Sequence, residues 1–501
     1  MSKMVEIVIY PEIGLGNVSR YLYSHFAEHL GRCIYGGIWV GKDSKIENNQ
    51  GIRCDTVKAL KKLALPALRW PGGCFADTYH WMDGIGPADQ RPRRHNLWWR
   101  QPEMNQFGTD EFMRLCRMVD SEPYICLNVG SGTVEEALRW VEYCNSDQPT
   151  SVVKQRQNNG HPKPYDVKFW GIGNENWLCG GSMRPEYYAD LYRRYATYLR
   201  EIAGERAKLI ACGSYDVIPE WDARFLELMK DALGLVDYIA LHIYSRAGSD
   251  VNFTDEDYYR LIASIDVMNK NLTRASGLAQ AYSSYGHPIG VVLDEWGTWY
   301  KEAKKTTGHY QQNTMQDALF TAASFHCFHR HADNLFMTNM AQTVNVQQAL
   351  ILTKGPEMIV TPTYYVYEMF QPHRSGQLVT SNVNAPLLKL PEGQEQEAIS
   401  VSATRSADSN ELFLSIVNLD LQKDFTGNIR VSGENRWKIK QVRRLAAKDI
   451  HAHNSFEESR RVYPKEISLE GAEEQDAIEL PRQSITTVGI KILHSSKRSL
   501  K

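Results

Sequence analysis

The chain has 501 residues, 43% of them hydrophobic and 23% charged, an ordinary globular composition on a chain too long for one compact core. A formal net charge of -2 gives no electrostatic reason to expect nucleic acid or an anionic membrane as partner, and no run of 18 apolar residues is present to span a bilayer. The nine cysteines are scattered, unlike a secreted disulfide framework, and the opening MSKMVEIVIYPEIG has no apolar stretch of signal-peptide length, so a cytoplasmic protein is expected.

In chain order, MVEIVIY (4–10) reads as a strand with no helix behind it, expected to pair with a sheet formed much later. GLGNVS (14–19) follows it like a dinucleotide loop, but a third Gly is missing and no acidic residue ends a second strand, which argues against NAD. Eight short apolar runs come next: Tyr21–His29, then 64–73, 123–130, 167–174, 208–214, 237–243, 289–294 and 334–341. Strands apolar on both faces, alternating with helical periodicity, belong to a parallel sheet. One helix opens at Pro185, with Tyr188, Leu191, Tyr195, Tyr198 and Ile202 along one face. Eight such units predict a (β/α)₈ barrel, with an open doubly wound sheet as the competing topology. Near residue 375 the pattern turns to alternation. EAISVSATRSADSNELFLSIVNL (397–419) has a turn at Ala407–Asn410, and SITTVGIKIL (484–493) closes the chain as another strand. These features predict a C-terminal all-β sandwich, jelly-roll-like. The expected domains are 1–17 (a strand joined to the sandwich), 18–375 (the barrel) and 376–501 (the sandwich).

In a barrel the chemistry lies at the C-terminal strand ends. Glu175 follows the fourth run in GIGNENW (171–177), and Glu295 follows the seventh in LDEWGTWY (293–300). A lone Glu there is most often a solvated strand end. Two of them, each beside Trp and on opposing strands, match the carboxyl pair that cleaves a glycosidic bond; in retaining enzymes the two lie about 5–5.5 Å apart. Glu28, His29, Arg69, His242, Tyr244 and Gln342 mark further strand ends, a rim suited to a polar sugar. HCFHRHAD (326–333) offers His326, His329 and His331, but it sits at a helix end where His meets the dipole, so no metal is expected. Cys74 and Cys179 each follow a turn at this rim. They could pair, against a default of free thiols in a reducing cytosol.

Across nearly its whole length the chain resembles family 51 of the glycoside hydrolases, the intracellular-type α-L-arabinofuranosidases of clan A. The resemblance lies in SHFAEHLGRCIYGGI (24–38), RWPGGCFADTYHWMDGIGP (69–87), RPRRHNLWW (91–99), NQFGTDEFM (105–113), NGHPKPYDVKFWGIGNENW (159–177), LDEWGTWY (293–300) and MAQTVNV (340–346). It implies Glu175 as general acid/base and Glu295 as nucleophile. Asn174 would hold the sugar's 2-hydroxyl, Tyr244 and Arg69 would position the nucleophile, and Glu28 and Gln342 would bind furanose hydroxyls. Trp99 and Trp299 would shape the subsites, with Cys74 bordering them. It further implies a hexamer, arabinose-containing oligosaccharides as substrates and no cofactor. Many family members carry Asn at Cys74, and Asn-Glu-Met-Asp-Gly-Pro in place of NENWLCGG. The alternatives are another clan A retaining activity, such as an endoglucanase or β-xylosidase, and a non-catalytic carbohydrate-binding barrel.

Overall fold

A computed structural model describes residues 3–215, 218–283, 287–305, 308–407, 410–433, 436–468 and 477–493. The strand β1 spans Lys3–Asn17. Eight parallel strands then close into a barrel: β2 (Ser24–Phe26), β3 (Ala67–Trp70), β4 (Glu122–Leu127), β5 (Phe169–Ile172), β6 (Lys208–Ala211), β7 (Tyr238–Ser245), β8 (Gly290–Thr298) and β9 (Leu335–Met340). Each is followed by a helix: α1 (Cys54–Leu63), α2 (Thr109–Val119), α3 (Val134–Asn145), α4 (Pro185–Ala203), α5 (Glu220–Leu228), α6 (Asp255–Ser283), α7 (Met315–Arg330) and α8 (Pro362–Met369). The barrel and the β-rich C-terminal region match the expected fold class, and the closed strand order rules out the open sheet. No helix among the described residues is long and apolar enough to cross a membrane.

Local sequence explains the helix starts. Thr133 accepts from the Glu136 N–H ahead of α3, Thr314 and Asp317 form a capping box on α7, and Pro185 opens α4. The buried face of α4 differs from the expected one: Tyr188, Tyr192, Tyr195 and Leu199 face inward, while Leu191 is half-buried and Tyr198 is 53% exposed. Two stripes of helical period run along this helix. The inward one includes Ala189 and Ala196, whose small side chains let it approach the barrel. The barrel interior is closed below by Tyr124, Phe169, Ile210, Val292 and Met337, so polar side chains higher up cannot exit downward.

After the barrel come β10 (Gln377–Asn384), β11 (Ile399–Arg405), β12 (Glu411–Asn418), β13 (Phe425–Val431), β14 (Trp437–Ala446), β15 (Lys465–Glu466), β16 (Ala477–Leu480) and β17 (Ser484–Ile492). With β1 they form one succession, β15-β14-β17-β12-β11-β10-β1-β13-β16. Arg444 of β14 donates to the Glu479 carbonyl of β16 at 2.5 Å, so strands near opposite ends of the succession meet and the sheet curls over its own core. β1 pairs antiparallel with β10 and parallel with β13. It runs on through Gly14 and Gly16, which lie opposite Val379 and Leu378; the glycine stretch expected to be a loop is strand. Of the turn Ala407–Asn410, Asp408 and Ser409 lie outside the described residues.

The barrel meets this sheet through α7, and here the histidines find their partners. His326 bonds to Ser400 and Ser415 at 2.8 Å each, and His329 to Tyr23 at 2.8 Å and Ser402 at 2.7 Å. His331 bonds to Asn269 at 3.0 Å, and His373 bonds to Thr404 and Ser415. Burial pushes His329 down to about 3, helped by Arg330, and drives His326 and His373 well below the usual imidazole value. They are neutral hydrogen-bonding rings between two domains. A His with a depressed folded pKa supports the fold above its unfolded value of 6.5, and that support is lost as pH falls toward about 3. His329→Gln should therefore flatten the loss of unfolding free energy between pH 6.5 and 4 by up to about 1.4 kcal/mol per pH unit. Urea unfolding across that range measures it, and parallel curves for the two proteins would refute the linkage.

Candidate active site

The polar groups gather above the apolar floor, and a register shift places two of them. Leu293 pairs with Leu241 of β7, yet Glu295 pairs with His242, so Asp294 is an extra residue in β8. Alternation would send Asp294 and Glu295 to opposite faces; the bulge turns both inward. Asp294 accepts from Tyr124 Oη and Asn339 Nδ2, each at 2.7 Å, and lies 3.2 Å from Arg69 Nε. Glu295 accepts from Arg69 Nη1 at 2.9 Å and from Tyr244 Oη at 2.8 Å, one donor on each oxygen. Burial works to raise the Glu295 carboxyl, but His242, Arg69 and Tyr244 outweigh it and hold it below its ordinary value. Burial likewise opposes the Arg69 charge, which Asp294 and Glu295 retain.

The second carboxylate follows β5. Arg69 Nη2 donates to Asn174 Oδ1 at 2.6 Å, and the Asn174 N–H donates to Asp77 Oδ2 at 2.8 Å. Asp77 also accepts from the Val129 and Gly130 N–H groups at 2.7 Å, so it ties the ends of β4 and β5 together. Burial pushes Asp77 up to about 7 against those three donors. Glu175 itself has φ +42°, a left-handed conformation that costs a non-glycine residue about 1–2 kcal/mol. Its carbonyl is held by the Leu178 and Gly180 N–H groups at 2.7 and 3.0 Å. His242 Nδ1 lies 2.8 Å from Glu175 Oε1 and 3.5 Å from Glu295 Oε2. Burial lowers the His242 pKa, but the two carboxylates raise it above the ordinary value. One oxygen of each glutamate lies within 4.8 Å of the other.

Cys74 and Cys179 are joined in a disulfide, which replaces the two free thiols taken as the default. Their sulfurs lie 3.9 and 3.6 Å from Glu175 Oε2. A disulfide sulfur has no proton to give, so Oε2 is left without a donor on that side. Among the described residues, two groups of side chains hold metal-ligating atoms within 4.8 Å of one another, Cys74–Glu175–Cys179 and Glu175–His242–Glu295. In the first, the sulfurs are spent on each other.

The opposite wall carries Glu28. It accepts from the Phe75 N–H, Trp99 Nε1 and Gln342 Nε2, each at 3.0 Å. A Cβ on Gly72 (φ +149°) would lie 2.2 Å from Glu28 Cγ, and one on Gly73 would lie 2.8 Å from Glu295 Oε1. The Gly-Gly pair is thus what lets β3 end between two carboxylates. Gln342 Oε1, Trp299 Nε1 and His309 Nδ1 are buried with no hydrogen-bond partner among the described residues, free for a ligand's hydroxyls. Tyr244 lies against Trp299 with ring centroids 5.2 Å apart. The ten residues expected to act on or bind the sugar, Glu28, Arg69, Cys74, Trp99, Asn174, Glu175, Tyr244, Glu295, Trp299 and Gln342, lie in one network of contacts that His242 and His309 join together. His29 does not join them: it is held between Glu103 and Trp70 and stacks on Phe75. Sequence reasoning missed Asp77 and His309, which packs between Trp99 and Trp299 at 5.0 and 5.3 Å. Asp77 stands inside a quoted motif, an acid among apolar neighbours; nothing in the sequence around His309 marks it.

Comparison with known proteins gives a consistent picture. Residues 59–261 match the family model of the alpha-L-arabinofuranosidase 1 domain, and residues 294–484 match that of the alpha-L-arabinofuranosidase C-terminal domain. The chain is 40% identical to an intracellular exo-alpha-L-arabinofuranosidase of Bacteroides ovatus, over 98% of this chain and 96% of that one. The family 51 arabinofuranosidase structure from Xanthomonas axonopodis pv. citri superposes with a TM-score of 0.89 at 34% identity, covering 97% and 100% of the two chains. The arabinose complex of the Thermotoga maritima α-L-arabinofuranosidase superposes with a TM-score of 0.86 at 32% identity, with the same coverage.

Glu28 supplies a pH prediction. Burial, with the charge of Glu295, raises it from 4.5 to about 7. A carboxyl with a raised folded pKa supports the fold fully below the unfolded value, and this support is lost as pH rises through the folded one. Relative to Glu28→Gln, the protein should therefore lose on the order of 3 kcal/mol between pH 4.5 and 7. Denaturant unfolding of both proteins at the two pH values measures it; an unchanged difference would contradict the assignment.

Proposed function

The chain belongs to family 51 of the glycoside hydrolases and is an exo-acting α-L-arabinofuranosidase; from that premise we propose that it works by double displacement with net retention. Glu295 attacks the anomeric carbon while Glu175 gives its proton to the departing oxygen. Water, deprotonated by Glu175, then releases arabinose from Glu295. The observation that carries this reading is the separation of the two carboxyl groups, within 4.8 Å at their nearest ligating oxygens. Retaining pairs stand about 5–5.5 Å apart, whereas inverting pairs need about 6.5–9.5 Å to admit a water between.

The division of roles follows the donors. Glu295 receives Arg69 and Tyr244 on its two oxygens, which favours the ionised form a nucleophile needs. Glu175 receives one nitrogen, His242 Nδ1, on Oε1, and Oε2 faces the two sulfurs, so Oε2 is the oxygen that carries the transferable proton. Asn174, fixed by Arg69 through its Oδ1, would turn Nδ2 to the sugar's 2-hydroxyl, a contact that strengthens in the transition state. Glu28 and Gln342 would bind the other furanose hydroxyls, with Trp99, Trp299 and the Cys74 side of the disulfide as walls. The reaction needs no metal or organic cofactor in this scheme.

Arabinose-containing oligosaccharides from arabinan or arabinoxylan are the substrates in this reading, and the cytoplasm is the site of action, a view supported by the Bacteroides ovatus relative named intracellular. Residues 18–375 form the catalytic unit; 1–17 and 376–501 form the accessory β-domain. The working assembly is a homo-oligomer, a hexamer by family resemblance.

Glu295→Ala should lower hydrolysis of an aryl α-L-arabinofuranoside by at least about 1,000-fold. With azide it should then yield the inverted glycosyl azide, whereas Glu175→Ala should yield the retained one. Near-normal turnover by Glu295→Ala, or the two azides exchanged, would overturn the role assignment.

A further inference from the structure

The disulfide sits where the reaction is most easily stopped. Cys179 is buried and Cys74 partly exposed at the mouth of the site, so a small reductant can reach the bridge from the substrate side. Both sulfurs lie beside one oxygen of Glu175, at 3.6 and 3.9 Å. A tetrahedral zinc ion, with Zn–S of about 2.3 Å and Zn–O of about 2.0 Å, holds its sulfur and oxygen ligands about 3.5 Å apart. The carboxylate is therefore already at ligand spacing from both sulfurs. The two sulfurs would part to about 3.8 Å around such an ion. Their Cα atoms are 5.5 Å apart, a span that rotation about the two Cα–Cβ bonds accommodates. The surroundings suit a ligand set: His242 steadies the other oxygen of Glu175, and Asn174 Nδ2 lies 3.9 Å from Cys179 Sγ, placed to donate to a thiolate.

We propose that Cys74, Cys179 and Glu175 form a redox-gated site for a thiophilic divalent cation, closed while the sulfurs are joined and opened by reduction, whose occupation switches the enzyme off. The gating step is thiol–disulfide exchange with a dithiol reductant. One thiolate of the reductant attacks a bridge sulfur, and its second thiol resolves the mixed disulfide. Two electrons pass to the bridge, leaving two cysteine thiols and the oxidised cyclic disulfide of the reductant. Cation binding then forms two metal–sulfur bonds and one metal–oxygen bond and releases the two thiol protons, together with the proton on Glu175 Oε2, to water. Inhibition rests on the acid/base role proposed for Glu175, because the metal takes the oxygen that would carry the proton; the site itself does not depend on that role.

The test uses the whole protein in two states. One is oxidised, with the Cys74–Cys179 bridge verified by nonreducing peptide mapping. The other is reduced with a phosphine, whose oxide takes up the oxygen of one water molecule, and is then freed of reductant without air. Each is dialysed against zinc sulfate, and zinc uptake and hydrolysis of an aryl arabinofuranoside are both measured. The reduced protein should bind one zinc at least about 100-fold tighter than the oxidised protein. It should lose its activity on binding zinc and regain it with a chelator, and Cys74→Ser or Cys179→Ser should abolish that uptake. Equal uptake and equal inhibition of the oxidised protein would overturn the proposal, since Glu175, His242 and Glu295 need no reduction to bind a metal. Zinc held by the reduced protein with hydrolysis unimpaired would keep the site and overturn the acid role of Glu175.

Discussion

The site is organised around a fully buried guanidinium. Arg69 has no exposure to solvent, and an unpaired charge in that position would cost several kcal/mol. Its planar fork distributes the charge over Asp294, Glu295 and Asn174, three groups from two different strand ends. The bulge in β8 exists in the service of that fork, because only an extra residue lets neighbours 294 and 295 both reach Arg69. Gly72 and Gly73, just beyond Arg69 in sequence, keep their own strand end narrow enough for Glu28 and Glu295 to stand on either side. Asp294, Glu295 and Asn174 thus all take their positions from one side chain. A lysine could not replace it, since a point charge cannot give planar donors to separate acceptors.

The two glutamates show how identical residues acquire different surroundings, on which the proposed division of roles rests. Glu295 is met by a cation and a phenol, one on each oxygen. Glu175 is met by an imidazole on one oxygen and by sulfur on the other. The difference lies entirely in the neighbours, and those neighbours come from β3, β7 and the loops after β3 and β5. His242 faces both carboxylates, so it links the events at one to the charge of the other. Strain at Glu175, with its left-handed backbone, sits beside this and is held in place by the loop that closes back at Gly180.

Much of this was legible in the sequence because it is local. The barrel strands announce themselves as apolar runs on both faces, and Glu175 and Glu295 are conspicuous as charges just past two of those runs. What depends on distant pairing was harder to read. The face of α4 could be drawn along two equally periodic stripes, and only the need for Ala189 and Ala196 at a close contact selects one. His29 shares the rim's position in sequence but finds Glu103 across 74 residues and turns away from the site. His326 and His329 look like a metal pair until the serines of a strand some 70 residues later are seen to occupy them. The Cys74–Cys179 bridge spans 105 residues, and no local pattern decides between a bond and two thiols. His309 reaches Trp99 and Trp299 from a loop that nothing in its own stretch distinguishes.

The central claim is that a covalent arabinosyl intermediate forms on one of two close carboxylates, so that configuration is inverted twice. Methanolysis followed by proton NMR in the first minutes of reaction tests it most directly, because methanol intercepts the intermediate as a methyl glycoside, which, unlike free arabinose, does not mutarotate. The account predicts methyl α-L-arabinofuranoside as the initial transfer product from an α-linked donor. Initial formation of the β anomer would contradict it.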